Sequence, residues 1–207
     1  MKKLIFILSI IYLAFACTKQ TVIDTGICSP YHDCSIMDYL RGNDYEWKYT
    51  VQLIEQAGLT DLFEGRVDSL LEITFLGIPS MSVERYLYDR QYDSVQQISA
   101  SLCRMMVLQH VAKGKILKKD IQYRNLDYNV NDPLQDGCTD ITMLGGNKVR
   151  FYLEKSDYSG VPDAGPVSMS LWSLRNDWQI PLSSPDIQPL NGVVHALNYN
   201  YKLGWTL

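Results

Sequence analysis

The sequence predicts an α+β fold, and three observations carry the prediction. Apolar residues in the first half recur at three- and four-residue spacing, as one face of a helix requires. From Ile141 onward they alternate with polar residues between Gly-Gly-Asn and Asn-Gly turns, as half-buried antiparallel strands require. No internal repeat or low-complexity tract interrupts this order, so helices come first and strands dominate later.

Each element follows from its own pattern. Ile36, Met37, Tyr39 and Leu40 predict a short helix ending at Gly42-Asn43. Val51, Leu53, Ile54 and Ala57, then Leu62-Phe63, continue near helical spacing, with Gly58 as the break between two turns. Leu70 to Leu76, rich in Leu, Ile, Thr and Phe, reads as a strand closed by Gly77 and Pro79. The strongest helix runs from Val95 to Val111. There Val95, Ile98, Leu102 and Met105 line one face, Ser94 and Gln97 make a capping box, and Gly114 ends the helix. Ile141 and Met143 precede Gly145-Gly146-Asn147. Val149, Phe151 and Leu153 then alternate against Lys148, Arg150, Tyr152 and Glu154, a hairpin with one buried and one wet face. Val167, Met169 and Leu171 alternate in a further strand, and Asn191-Gly192 introduces a late strand from Val193 to Leu197.

The 207 residues are 46% hydrophobic and 20% charged, which excludes long disorder, collagen-like repeats and coiled coil. Nineteen basic against 23 acidic residues leave no basic excess for gripping nucleic acid. A domain of this size buries roughly 70% of its unfolded surface, so it needs neither disulfide nor metal to fold.

The N-terminus reads as an address. Lys2 and Lys3 precede an uncharged, mostly apolar run from Leu4 to Phe15, and Ala14-Phe15-Ala16 leads into Cys17. The run extends only about 18 Å as a helix, short of a hydrocarbon core about 30 Å thick. It resembles the lipobox of bacterial lipoproteins, with Ala14 where Leu is usual; the other reading is an ordinary secretory signal. The resemblance implies cleavage before Cys17 and attachment of palmitate-type acyl chains to that residue, an anchor stable only with more than one chain. In an exported protein Cys28 and Cys34 are close enough for a small-loop disulfide, whereas Cys103 reads as a buried small hydrophobe.

Catalytic patterns are lacking. His32, His110 and His195 have no second His or Cys at metal-ligand spacing, and no cofactor or metal is expected. No nucleophile elbow, phosphate loop or dinucleotide glycine pattern occurs. His110 and His195 sit in apolar segments and read as satisfied core histidines. Asp132, Asp136, Asp157 and Asp163 read as solvated turn residues, and a hydrolase would need two of them in one pocket. The chain is therefore expected not to be an enzyme. Four Trp and 14 Tyr are more suggestive: Trp172 and Trp178 flank a polar segment, and Tyr123, Tyr128, Tyr152 and Tyr158 lie near turns or the wet hairpin face. They either complete the core and its rim or stack on sugar rings or partner proteins.

Three blocks resemble the fasciclin domain. They are Ile73 to Ser80; Val107-Leu108-Gln109-His110-Val111 with Gly114 and Ile116-Leu117; and Asp186-Ile187 followed by Asn191-Gly192-Val193-Val194-His195-Ala196-Leu197. Two departures are clear. Met81-Ser82-Val83-Glu84 stands where the family has Asn-x-Ala-Phe, with Val83 and Tyr86 as apolar substitutes. Gln109 replaces the Tyr of a Tyr-His pair linked to adhesion in some members. The resemblance implies a wedge of two β-sheets with helices packed along one edge. It also implies the family positions Pro79, His110, Asp186, Ile187, Asn191, Gly192 and His195, and an adhesion or ligand-binding role.

The expected organisation is therefore a signal peptide over 1–16, a tether over 17–33, a fasciclin-like domain over 34–203 and a tail over 204–207. The expected protein is a lipid-anchored module of a Gram-negative envelope, at the outer membrane. It would bind a protein or glycan and no nucleic acid. The alternative is a scaffold subunit, which predicts an exposed apolar patch around Trp172 and Trp178.

Overall fold

The computed structural model describes residues 29–204. The signal peptide, Cys17, Cys28 and all but the first residue of the tail lie outside them. Among the described residues no helix is long and apolar enough to cross a membrane.

Helices α1 (Ile36–Arg41), α2 (Asp44–Gln56) and α3 (Thr60–Phe63) open the fold, followed by strand β1 (Ile73–Gly77), α4 (Ser80–Arg90), α5 (Ala100–Leu108) and β2 (Val111–Lys113). The rest is β: β3 (Thr139–Thr142), β4 (Lys148–Lys155), β5 (Val167–Ser173), β6 (Trp178–Ile180), β7 (Leu182–Ile187) and β8 (Gly192–Leu197). Two four-stranded sheets result, ordered β2-β1-β8-β7 and β3-β4-β5-β6. This is the α+β architecture of two sheets plus helices that the sequence predicts.

The two sheets meet at both edges. At one, Ala112 bridges Met143 and the Leu144 N–H donates to the Val111 carbonyl across 2.7 Å. At the other, only Pro181 separates β6 from β7, so the chain itself passes between sheets. The Gln188 N–H donates to the Pro30 carbonyl across 2.7 Å, so the segment before α1 already lies along the β7–β8 connection.

β1 and β8 run parallel, Ile73 opposite Gly192 and Gly77 opposite Ala196, and every residue of both is buried. Burial on two faces explains their near-continuous apolar composition. On one face Phe75 meets Phe63 edge to face at 4.9 Å, and Trp47 of α2 packs over Gly77. A Cβ on Gly77 would lie 2.9 Å from the Trp47 indole, so only glycine leaves room for the ring. On the other face His195 meets Phe151 of the second sheet. The core therefore fills two spaces, helices against the first sheet and the first sheet against the second.

The helix expected from Val95 to Val111 is shorter and broken. Val95–Gln97 is a 3-10 turn, Ile98 is extended (φ −79°, ψ 134°), and α5 starts afresh at Ser99, whose hydroxyl accepts the Leu102 N–H. The Ser94 side chain caps nothing, and Gln97 instead accepts the Asp93 N–H. Both Val95 and Ile98 are buried this way, because a 3-10 turn also places residues three apart on one side. At the far end β-branched Val111 pairs with Phe75, and Gly114 (φ 83°) closes a strand rather than a helix.

The β3–β4 hairpin forms as predicted, Thr139 opposite Phe151, but its expected wet face is covered. Arg150 and Tyr152 are 7% and 3% exposed. The segment 122–137 lies over Arg150 and is pinned by its guanidinium. That group binds both Asp140 oxygens at 2.6 and 2.8 Å and the Val130 carbonyl at 2.6 Å. Buried Gln135 holds the segment from within. Its Oε1 accepts the Asn125 and Gly137 N–H groups, and its Nε2 donates to the Asn125 and Tyr128 carbonyls.

Candidate functional site

The family-motif positions are brought together, and they hold the framework. Strands β2, β1 and β8, which carry most of the three blocks, are neighbours in one sheet. Pro79 starts α4 with its φ of −67° and accepts the Ser82 N–H. Asn191 ties three elements: its Oδ1 accepts the Ile36 N–H at 2.7 Å, its Nδ2 donates to the Phe63 carbonyl at 2.9 Å, and its own carbonyl accepts the Ile73 N–H. At Gly192 a Cβ would lie 1.9 Å from the Ile73 carbonyl oxygen, which makes glycine obligatory. Ile187 pairs with Val194 and packs half-buried on the core.

The two buried histidines are fixed as opposite neutral tautomers. Nδ1 of His110 faces the Met106 carbonyl at 2.6 Å and carries the proton, while Nε2 accepts from the Tyr201 hydroxyl. In His195 the Asp186 N–H donates to Nδ1 at 3.1 Å, so Nε2 carries the proton and donates to the Ile116 carbonyl. Asp186 has φ 61°, and its Oδ1 accepts the Lys118 N–H. Burial holds the His110 pKa down at about 4 and lowers that of His195, the latter offset by the Ile116 carbonyl and the Asp186 charge. Neither ring has a nitrogen left to move a proton.

The two tryptophans expected to act together do not share a face. Trp172 lies opposite Gln179 and Trp178 opposite Ser173, so successive residues of β5 separate them to opposite sides of the sheet. Trp172 is half-buried and donates to Asp177. Trp178 is 61% exposed and borders a cavity of about 550 Å³. The lining of that cavity also includes Ser168, Ser170, Gln179 and Asn200, and no charged side chain. Tyr152 is core, whereas Tyr158 is exposed and Tyr123 lies under the Lys155 ammonium.

The loop aspartates serve turns. Asp132 accepts the Leu134 N–H, Asp136 binds the Asn125 amide, and Asp157 accepts the Asp163 N–H. A cavity of about 200 Å³ beside Tyr123 brings Asp163 to Glu154, whose carboxylate is ion-paired to Arg124. Among the described residues no group of three His, Cys, Asp or Glu is placed to hold a metal ion. Cys34 has a free thiol, pushed up by burial and by Asp38 and Asp33; its expected partner Cys28 lies outside the described residues.

One concavity was not foreseen from the sequence. A cavity of about 440 Å³ lies between α4 and α5 with Arg90, Tyr92, Gln109 and Arg175 in its wall. A second, of about 460 Å³, shares Gln109 and Arg175 and adds Gly145, Asn147 and Lys148. Neither lining contains a carboxylate. Its three cations come from a helix end, a strand start and a strand connection, which no sequence spacing brings together.

No protein-family model and no curated protein matches the chain. Among solved structures, a FAS1 domain pair from the insect cell adhesion molecule fasciclin I is similar to it, with a TM-score of 0.49 and 13% identity. The similarity covers 77% of this chain and 45% of that one, so this chain spans less than half the length of that structure.

Proposed function

We propose that the protein is a lipid-anchored adhesion or ligand-binding module of the Gram-negative cell envelope, held at the outer membrane through acylated Cys17 and contacting a glycan. Support for the anchor is the N-terminal pattern of Lys2-Lys3, the apolar run to Phe15 and Cys17. The observation that carries the binding role is exposed Trp178 beside a concave surface of uncharged hydrogen-bonding side chains. An indole stacks on the apolar face of a sugar ring while amides and hydroxyls meet its hydroxyl groups. Both buried histidines are committed to structural bonds, which favours binding over catalysis.

Two measurements test the reading. Cys17→Ala abolishes incorporation of labelled palmitate and releases the protein from the membrane fraction; unchanged labelling refutes the anchor. A glycan array with the full chain returns ligands whose binding is lost in Trp178→Ala. An empty array up to millimolar concentration removes the glycan reading, and binding to protein partners alone replaces it with adhesion through protein contacts.

A further inference from the structure

We propose that the groove formed by the two joined cavities between α4, α5 and the β3–β4 turn binds an acidic oligosaccharide, whose carboxylate or sulfate groups are held by Arg90, Arg175 and Lys148. The proposal adds a second site, distinct from the Trp178 surface, and rests on the glycan reading only for the class of ligand.

Four observations carry it. First, three cations converge on one concave surface of a protein whose net charge is −4, and no carboxylate lines that surface. Second, two acidic residues near it in sequence are turned to other work. Asp177 accepts from Trp172 and Asn131, and Asp93 from Gln97. Third, all three cations are exposed, and none has an ion-pair partner among the described residues. The Arg90 guanidinium instead lies 5.7 Å from the centre of the Tyr86 ring.

Fourth, the floor is built rather than incidental. The Gly145 N–H donates to the Leu108 carbonyl at 2.8 Å, and a Cβ at Gly145 would lie 2.7 Å from the Gln109 side chain. Asn147 donates from Nδ2 to the Gln109 carbonyl, which leaves its buried Oδ1 an acceptor with no partner. A hydroxyl is the group that answers such an acceptor.

These features select one ligand class. Guanidinium forks bind carboxylate and sulfate oxygens in pairs, whereas the Lys148 ammonium is a point charge suited to either. Tyr92, half-buried in the same wall, offers a ring to a sugar between the charged groups. The anions neutralise the groove's unbalanced charge, and the protein's net charge of −4 disfavours a polyanion that misses it.

The test titrates the detergent-solubilised full chain with oligogalacturonate hexamer, a sulfated chondroitin hexasaccharide and uncharged maltohexaose. The expected result is that one or both acidic hexamers bind at least tenfold more tightly than maltohexaose and weaken as salt rises. Arg90→Gln and Arg175→Gln each weaken that binding about tenfold, while Tyr45→Ala, at an exposed residue outside these cavities, leaves it within twofold. Preference for the sulfated hexamer assigns sulfate to the arginines, and preference for the uronate hexamer assigns carboxylate. Both replaced arginines are exposed, so unchanged thermal midpoints confirm that the variants are folded. Acidic hexamers that bind the two variants as tightly as the parent overturn the groove and leave the glycan reading intact, as does equal binding of all three sugars lost in Trp178→Ala. No binding by any sugar, here or on the array, overturns both.

Discussion

The Tyr201 hydroxyl donates to Nε2 of His110 across 2.6 Å, with the two rings edge to face at 5.4 Å. The contact joins the C-terminal segment to the end of α5 across 91 residues of chain, and both side chains are almost wholly buried. Replacing Tyr201 by Phe keeps the ring and leaves Nε2 without a donor, which costs about 1–3 kcal/mol. Urea denaturation of Tyr201→Phe measures this directly. A midpoint equal to the parent's would show that the bond contributes nothing.

Both buried imidazoles make stability depend on pH. The folded chain keeps His110 neutral down to about pH 4, whereas the unfolded chain protonates it near its ordinary value of 6.5. Between those limits the unfolded state binds more protons. Stability is therefore fully present above about pH 6.5 and falls as pH falls toward 4, by about 3 kcal/mol from His110. His195 acts in the same direction. Unfolding free energies at about pH 7 and about pH 4.5 should differ more in the parent than in a His110→Asn, His195→Asn double variant. Equal differences would contradict the assignment, since the carboxylates are common to both proteins.

The Asn191-Gly192 pair holds α1, α3 and β1 in register with β8. Asn191→Ala removes an acceptor from the Ile36 N–H and a donor from the Phe63 carbonyl, for a loss of about 2 kcal/mol. Asn191→Asp keeps the acceptor and loses the donor, so its stability lies between the two. Gly192→Ala forces Ile73 away and is the more damaging change, with little folded protein expected in soluble expression. Circular dichroism melts that place Gly192→Ala above Asn191→Ala would contradict the close approach.

Gln135 satisfies four backbone groups of the segment that covers Arg150. In Gln135→Ala the Asn125 and Gly137 amides lose their acceptor, and the segment opens more often. Hydrogen exchange at those two amides should accelerate at least tenfold while β1 and β8 keep their protection. Uniform acceleration across the chain would point to global destabilisation instead.

Much of this architecture is legible in the residues. The alternation of Val149, Phe151 and Leu153 marks β4, and Asn191-Gly192 marks the start of β8, because both rest on local rules of period and turn conformation. β6 and β7 carry no such signal. Each is an edge strand paired on one side only, and β7 contains Ser183, Ser184 and Pro185, which an edge tolerates. The Val95–Val111 pattern reads as one helix because a 3-10 turn and an α-helix both bring residues three apart to one side. The burial of Arg150 is invisible in the alternation because its cover, residues 122–137, is an irregular segment that only packing places there.

By itself the sequence determined the α+β class, most elements, the commitment of His110 and His195 to the core, and the pattern ending at Cys17. Each of these depends on residues close together in the chain or on the polarity of a single segment. Tertiary structure alone decided that Trp172 and Trp178 face opposite ways, since one position of register reverses a side chain. It alone gathered Arg90, Lys148 and Arg175 around Gln109, because the ends of two helices, a hairpin turn and a strand connection meet only after the sheets have closed on each other.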